Sequence, residues 1–280
     1  MVAVDDCSRD DTVELLRGFG DPRIRVIASE TNGGPAVARN HAFAAARGHY
    51  VAGLDQDDVC VPERFARQVA YLDAHPEVAL ASTAAAVLED GRLTPGNWPR
   101  PLTPGLIDWL ILIQNPLVWS SVMFRADAAR RLDPFERPEF RYVEDFDFYH
   151  RIRAFGRLAQ IDEELVRYRA HAGGASNMFN ATMRANAETL MRGHAPDIAD
   201  LLVRHVRRAR AGARCGDACA VVPGHRPAAR RFRPARGHGS HDAGAGRPRD
   251  LAAVVAVVPR GGALGGACAA TTRSPPAPRL

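Results

Sequence analysis

The chain has 280 residues, of which 46% are hydrophobic, so it can bury the core of one large domain or two small ones. Its longest apolar run, Leu251 to Val258, is far shorter than the roughly 20 residues of a transmembrane helix, and no signal-peptide pattern opens the chain. The five cysteines are scattered and support neither a disulfide framework nor a zinc site; we predict a cytoplasmic protein with at most peripheral membrane contact.

The basic net charge of +5 belongs to the end of the chain. From Ala209 onward there are 12 arginines against 3 acidic residues, whereas Met1 to Arg208 holds 25 arginines against 29 acidic residues, and lysine is absent throughout. A nucleic-acid binder would be expected to carry its basic charge on the folded part. We therefore predict no nucleic-acid partner.

The first half of the chain alternates strand and helix patterns. The strand-like runs are Met1 to Val4, Ile24 to Ala28, His49 to Leu54 and Val78 to Val87, and the helical patterns between them are Thr12 to Gly18, Ala36 to Ala46 and Glu63 to Ala74. Such alternation is typical of an α/β fold with a mostly parallel sheet and helices on both faces.

The second half is less regular. Its predicted helices are Leu106 to Ile113, Ala126 to Leu132, Val143 to Phe155 and Met178 to Arg208, and its predicted strands are Val118 to Phe124, Arg157 to Asp162 and Leu165 to Arg169. From residue 209 the composition changes to arginine, alanine, glycine and proline, which have little to bury. We predict a folded domain over 1–208 and a tail over 209–280 that is disordered or the product of a frameshift, which sequencing the gene would check.

An acidic cluster, Asp55-Gln56-Asp57-Asp58, directly follows a predicted strand. Open α/β sheets bind ligands at that edge, and aspartates two residues apart can gather around Mg²⁺ or Mn²⁺. A solvated acidic loop has the same pattern. An EF-hand would need Gly and Glu where Cys60 and Ala66 stand. A haloacid-dehalogenase-like phosphatase usually employs a lysine, which is absent here, although an arginine could replace it.

Three further groups of residues are candidates for ligand binding or catalysis. Asp5-Asp6 ends the first strand and can accept hydrogen bonds from a nucleobase or ribose, or cap the next helix. Glu144-Asp145 lies in the first turn of a helix, where a carboxylate can be a general base or only complement the helix dipole. His171, in Tyr168-Arg169-Ala170-His171, is either a ligand or a structural histidine.

In this order and spacing, these groups resemble the family 2 glycosyltransferases, which have the GT-A fold. The segment VDDCSRDDT is similar to the second-strand motif of that family, and NGGPAVARNHAFAAARGHYVAGLDQDD to the stretch that leads into its Asp-x-Asp. SSVMFRADAARRLDPF, YVEDFDFYHRI and LVRYRAH resemble the acceptor-side strand, the Glu-Asp helix and the late Tyr-Arg-x-His element. The resemblance covers roughly Met1 to Asn177.

The resemblance implies an inverting glycosyltransferase that uses a UDP- or dTDP-linked sugar, Mg²⁺ or Mn²⁺, and a saccharide or lipid-linked acceptor in cell-surface polysaccharide or glycoconjugate synthesis. The implied roles are nucleotide contact for Asp5 and Asp6, donor nucleotide or diphosphate contact for Arg39, metal binding for Asp55 and Asp57, general base for Asp145, and donor-phosphate or metal contact for His171.

Two departures from the family pattern matter. The family begins with another strand and helix, so we expect the first strand of the fold to be missing, through a misassigned start or a fragment. Cys7 stands where the family commonly has glycine, and it is strained if that position needs a positive φ. An inactive remnant or nucleotide-sugar-binding module is therefore an alternative to an active enzyme.

Overall fold

The computed structural model describes residues 1–96 and 98–196, and the backbone of 254–258. It is an α/β structure with one central sheet and helices on both faces, which confirms the predicted fold class. The strands are β1 (Val2–Asp5), β2 (Arg25–Ala28), β3 (Tyr50–Asp55), β4 (Val59–Cys60), β5 (Val78–Glu89), β6 (Arg92–Pro95), β7 (Met123–Arg125), β8 (Arg157–Arg169) and β9 (Val254–Val258). The helices are α1 (Thr12–Gly18), α2 (Pro35–Ala45), α3 (Arg64–Ala74), α4 (Pro104–Leu110), α5 (Ala126–Ala129), α6 (Glu144–Ile152), α7 (Ala175–Met178) and α8 (Asn180–His194).

The strand order is β2-β1-β9-β3-β7-β5-β8-β4, with β6 paired to β5. The strands β2, β1, β9 and β3 run parallel, whereas β7 is antiparallel to both β3 and β5, so the sheet is mixed. The carboxyl ends of β1 and β3 lie at the same edge of the sheet. Asp5 and Asp55 are therefore about 10 Å apart, two strand spacings.

The strand β9 lies between β1 and β3, with Val2 opposite Val255 and Leu54 opposite Ala256. This is the part of the sheet where the family resemblance implied a missing strand. The five residues of β9 belong to the segment expected to be disordered, and they differ from that expectation because an apolar run pairs with open strand edges on both sides. The rest of the tail and the boundary at 208/209 lie outside the described residues.

Several boundaries differ from the predicted ones, most of them by three residues or fewer. The two strands predicted before Arg169 form the single strand β8, which pairs with β5 through register shifts opposite Thr83 to Ala85. The predicted strand Val118 to Phe124 begins as a 3₁₀ turn over Trp119–Ser121 and enters the sheet only as β7. The last predicted helix is α8, and its predicted continuation over 197–208 falls outside the described residues.

Two layers of apolar side chains flank the sheet. The larger one packs α2, α4, α6 and α8 against one face, and the smaller one packs α3 against the other. None of the helices in the described ranges is both long and apolar enough to cross a bilayer.

A buried polar pair fixes the strand that leads to the acidic cluster. Arg64 donates hydrogen bonds to the backbone oxygens of Gly53 and Val122, at 3.0 and 2.9 Å, and to the side chain of Gln68. Gln68 in turn donates to the carbonyl of Ala81 at 2.7 Å. Burial lowers the pKa of Arg64 to about 10, still high enough to keep it charged at neutral pH. Because α3 satisfies carbonyls of two strands and of the segment before β7, it holds β3 rigidly behind the site.

Candidate active site

Asp6, after β1, organises the turn that leads into α2. Its Oδ1 accepts the backbone N–H of Gly33 at 2.8 Å. Its Oδ2 accepts the backbone N–H of Gly34 and the side-chain amide of Asn32, each at 2.8 Å. Three donors therefore occupy the carboxylate of Asp6, which is only 1% exposed. In this structure Asp6 stabilises the turn before α2.

Asp5 has a free acceptor. Its Oδ2 accepts the backbone N–H of Ser8 at 3.0 Å, but its buried Oδ1 has no partner in the structure. A buried carboxylate oxygen without a donor is costly, and a ligand N–H or O–H would satisfy it. Of the two aspartates, Asp5 thus has more capacity left for a ligand.

The acidic cluster divides its contacts between two parts of the protein. Asp55 ends β3; its Oδ1 accepts from Arg39 at 2.9 Å and its backbone N–H donates to Ser120. Asp57 Oδ2 lies 3.0 Å from Nε2 of His171, and both side chains are partly exposed. Asp57, the predicted metal ligand after β3, is therefore in direct contact with His171, the predicted phosphate or metal contact after β8.

The end of β8 anchors this loop. Asp58 Oδ1 accepts the backbone N–H of Arg169 at 2.8 Å, and the Arg169 side chain donates to the carbonyl of Asp57 at 2.7 Å. Burial raises the pKa of Asp58 to about 7, with Asp55 adding to the effect. Asp58 is 8% exposed and points into the protein, so Asp57 is the member of the cluster that remains open beside His171.

Arg39, on α2, is the buried centre of a charge cluster. Its guanidinium contacts Asp55 at 2.9 Å, Glu144 at 3.5 Å and Glu136 at 3.6 Å, and it lies over the ring of Trp119 at 4.3 Å. Burial disfavours the Arg39 cation, but the surrounding carboxylates outweigh this and raise its pKa. At 6% exposure, its contacts in the structure are with the protein's own carboxylates.

Several buried groups in this cluster have no hydrogen-bond partner. They are Nε of Arg39, both carboxylate oxygens of Glu136, Oε2 of Glu144 and the hydroxyl of Tyr149. Burial raises the pKa of Glu144 to about 7 and raises that of Glu136 well above its usual range. One guanidinium therefore faces several carboxylates, and burial favours the protonated forms of Glu136 and Glu144.

Asp145 lies in the first turn of α6, next to Glu144. Its Oδ1 accepts the backbone N–H of Phe146 at 2.7 Å, and its Oδ2 accepts the side-chain amide of Asn115 at 2.8 Å. Burial raises the pKa of Asp145, while Arg39 acts in the opposite direction. A carboxylate with a raised pKa and remaining acceptor capacity is suited to take a proton.

Asp147, two residues along α6, has a structural role. It is fully buried and is bound by Arg137 and by Arg151, the latter at 2.7 Å, with His194 of α8 at 3.4 Å. Although burial acts to raise the pKa of Asp147, the hydrogen bonds and cations around it lower it well below the usual range. Asp147 therefore joins α6 to α8 as a permanent anion.

Comparison with known proteins identifies the family. Residues 1–133 match the family model described as glycosyl transferase family 2. This part of the chain belongs to family 2 of the glycosyltransferases. An uncharacterized glycosyltransferase of Haemophilus influenzae is 26% identical over 69% of this chain and 62% of its own length. The amylovoran biosynthesis glycosyltransferase AmsE of Erwinia amylovora is 31% identical over 55% of this chain and 56% of its own.

A solved structure supports the fold. S. aureus TarS, crystallised as residues 1–349 in complex with UDP, aligns with a TM-score of 0.55 and 22% sequence identity, over 77% of this chain and 64% of that one. The GT-A fold predicted from the motifs is thus confirmed. The chain spans less than two thirds of the length of each of these relatives.

The structure brings the predicted residues of this family 2 domain together in two groups. Asp57 and His171 are in contact, as are Arg39 and Asp55, and Arg39 connects Asp55 to the start of α6 beside Asp145. The roles assigned to these residues, and to Asp5 and Asp6, stay predictions.

A divalent cation is implied for this family, so we examined whether the side chains after β3 could be its ligands. Within 1–96 and 98–196, no three His, Cys, Asp or Glu side chains are grouped to hold a metal alone. Mg²⁺ is usually bound by one or two carboxylates together with substrate phosphates and water. Asp57 beside His171, with Asp55 two residues earlier at the end of β3, fits such a shared site.

Sequence analysis missed Asn115, Glu136, Trp119 and Ser120. Asn115-Pro116 has the composition of a turn, and Glu136 lies in an irregular charged stretch without periodicity. Their positions depend on tertiary contacts between segments 30 to 100 residues apart, for which a single sequence carries no signal.

Proposed function

We propose that this protein transfers a sugar from a nucleotide-sugar donor to an acceptor hydroxyl, with inversion at the anomeric carbon. The observation that carries the proposal is the position of Arg39, which contacts Asp55 at 2.9 Å and Glu144 at 3.5 Å. It joins the carboxylates after β3, on the donor side, to the helix that carries Asp145, on the acceptor side. A metal-assisted leaving group and a general base are the two requirements of this reaction.

The donor is a nucleoside diphosphate sugar, UDP- or dTDP-linked. The unpartnered Oδ1 of Asp5 accepts a hydrogen bond from the base or ribose, and Asp6 holds the adjacent turn that leads into α2. The UDP in the S. aureus TarS structure supports this class of donor. We assign Arg39 a supporting role rather than direct contact with the donor, because its guanidinium is buried among carboxylates.

Asp57, with His171 and Asp55, would hold a divalent ion, Mg²⁺ or Mn²⁺. When bound, it supplies positive charge that stabilises the nucleoside diphosphate leaving group. Arg169 contributes by fixing the backbone of Asp57 through its carbonyl at 2.7 Å.

Asp145 is the general base. It takes the proton of the acceptor hydroxyl while the hydroxyl oxygen forms a bond to the anomeric carbon, and the bond from that carbon to the diphosphate oxygen breaks with its electron pair leaving on the diphosphate. Attack opposite the leaving group inverts the anomeric centre. Arg39 limits the rise in the pKa of Asp145 that burial causes, and so favours the ionised form of the base.

The acceptor is a saccharide or a lipid-linked saccharide in the synthesis of a cell-surface polysaccharide, at the cytoplasmic side of the membrane. The similarity to AmsE, an amylovoran biosynthesis glycosyltransferase, supports this setting.

Calorimetric titration with UDP, with and without Mn²⁺, tests donor binding; release of UDP from a panel of UDP-hexoses tests turnover. Asp145→Asn should reduce turnover by about 10²–10⁴-fold while UDP affinity is unchanged. Glu14→Gln is the matched control, because Glu14 is an exposed carboxylate in the first turn of α1. Normal turnover by Asp145→Asn would refute the assignment. Absence of Mn²⁺-dependent UDP binding would identify an inactive remnant, and release of phosphate from an aryl phosphate would favour the phosphatase.

A further inference from the structure

Two hydrogen bonds from different parts of the chain fix the carboxylate of Asp145. Oδ1 accepts the backbone N–H of Phe146 at 2.7 Å, and Oδ2 accepts Nδ2 of Asn115 at 2.8 Å. The first bond comes from the next residue of α6, so it moves with the helix. The second comes from the segment after α4, 30 residues earlier, and holds the carboxylate against the rest of the domain.

The amide of Asn115 is held in one orientation. Its Oδ1 accepts the backbone N–H of Leu117 at 3.1 Å, so the amide nitrogen must face Asp145. Leu117 is buried in the larger apolar layer and Pro116 is buried beside it, which gives the donor a rigid base. An ionised carboxylate has about four acceptor positions, so these two bonds leave room for an acceptor hydroxyl.

Charged groups surround Asp145 on several elements. Arg39 on α2 favours its ionised form, while Asp55 on β3 disfavours it. Glu136, Glu144 and the Tyr149 hydroxyl are further ionisable groups of the same buried cluster. Asn115 is a neutral donor whose hydrogen bond favours the ionised form of Asp145, and it adds no charge to this crowded cluster.

We infer that Asn115 is a positioning residue for Asp145: its side-chain amide orients the carboxylate toward the acceptor and stabilises the ionised base. This inference rests on the proposed function of Asp145 as the general base. Nothing in the sequence motifs points to Asn115, and only the contact with Asp145 identifies it.

A residue swap tests the hydrogen bond on the unliganded protein. Asn115→Asp alone sets two carboxylates about 3 Å apart, and we expect a loss in Tm of about 4–8 °C at pH 8 that shrinks at pH 5, where the pair shares a proton. The double variant N115D/D145N restores one amide donor and one carboxylate, and it keeps acceptors for the N–H groups of Leu117 and Phe146. It should recover at least half of the lost Tm.

Turnover tests the positioning role, measured as UDP release from whichever UDP-hexose the unaltered chain uses best. Asn115→Ala should lower kcat by about 10-fold or more, leave the donor KM within about 2-fold, and move the acid limb of the kcat profile about one pH unit upward. The swap variant should regain stability without regaining turnover, because its carboxylate stands on the wrong segment.

The outcomes separate the two claims. Normal turnover by Asp145→Asn would refute the general base and with it the proposed function. If Asp145→Asn is inactive but Asn115→Ala keeps kcat and the position of the acid limb, only the inference about Asn115 fails. A swap variant no more stable than Asn115→Asp, or a Tm loss independent of pH, would also overturn it, even in a preparation without turnover.

Discussion

The residue after Asp5-Asp6 stores backbone strain that a single substitution would relieve. Cys7 has φ 65°, in the left-handed region, which costs a residue with a Cβ about 1–2 kcal/mol. Its thiol makes one long contact, 3.4 Å to the carbonyl of Glu30, which contributes little. Glycine removes the strain but loses about 0.5–1 kcal/mol through the entropy of the unfolded chain. We therefore expect Cys7→Gly to raise the free energy of unfolding by about 0.5–1 kcal/mol.

The comparison with alanine isolates the cause. Cys7→Ala keeps the strained Cβ and removes only the thiol, so glycine should be more stable than alanine by about 1 kcal/mol, or roughly 2–4 °C in Tm. At an ordinary helical site the order is reversed, and Ala44→Gly on the exposed side of α2 should cost about 0.5–1 kcal/mol. Urea denaturation of all three variants measures this. If Cys7→Gly is no more stable than Cys7→Ala, the strain is not present in solution.

Three further predictions concern the charge cluster and the sheet. Arg39→Met should lower the free energy of unfolding by about 3–5 kcal/mol, because it leaves buried carboxylates without their cation, and urea denaturation measures the loss. Glu144→Gln should stabilise the protein more at pH 8 than at pH 5. The pKa of Glu144 is about 7 in the folded protein, against an ordinary 4.5 in the unfolded chain. The stability that its bound proton contributes is therefore present below pH 4.5 and is lost as pH rises through 7, a loss of up to about 3 kcal/mol. Ala256→Pro should lower Tm, because β9 pairs on both sides and proline removes a ladder donor.

Each of these has a control and a contradicting outcome. Adding Glu136→Gln to Arg39→Met removes one of the carboxyl groups left without its cation and should recover part of the stability; no recovery would contradict the shared cluster. A Glu144→Gln effect that is equal at both pH values would mean that this carboxyl titrates normally. Unchanged Tm in Ala256→Pro, against Ala256→Gly as control, would mean that β9 does not pair with β1 and β3 in solution.

The local features of the fold were predictable, and their long-range contacts were not. Apolar runs and turn residues around β1, β3 and α2 gave nearly the observed bounds, since these elements depend on neighbours in the sequence. Two predicted strands merged into β8 because pairing with the long strand β5 continues on both sides of a bulge at Asp162 and Glu163. Propensity cannot reveal such a tertiary effect.

In the candidate site, too, some residues were predictable from local motifs, whereas their contacts with distant residues were not. Asp55, Asp57, Asp145 and His171 were singled out from short motifs. The structure brings Asp57 and His171 into contact and connects Asp55 through Arg39 to the start of the helix that carries Asp145. The roles of their partners depend on packing: Arg39 is conspicuous in the sequence, yet only the fold reveals that it is enclosed by carboxylates. Asn115 has no local signal, because its significance is a single hydrogen bond across 30 residues.

The geometry of the donor site depends on the strand between β1 and β3. Asp5 and Asp55 end two strands that are not adjacent, and β9 supplies the spacing between them. If β9 were absent, β1 and β3 would either pair directly, which halves the distance between these aspartates to about 5 Å, or leave their edges open to water. A nucleoside diphosphate that contacted both Asp5 and the cluster at Asp57, as proposed above, would depend on the spacing that β9 sets. We therefore expect the integrity of the central sheet and the proposed donor binding to be lost together when β9 is broken.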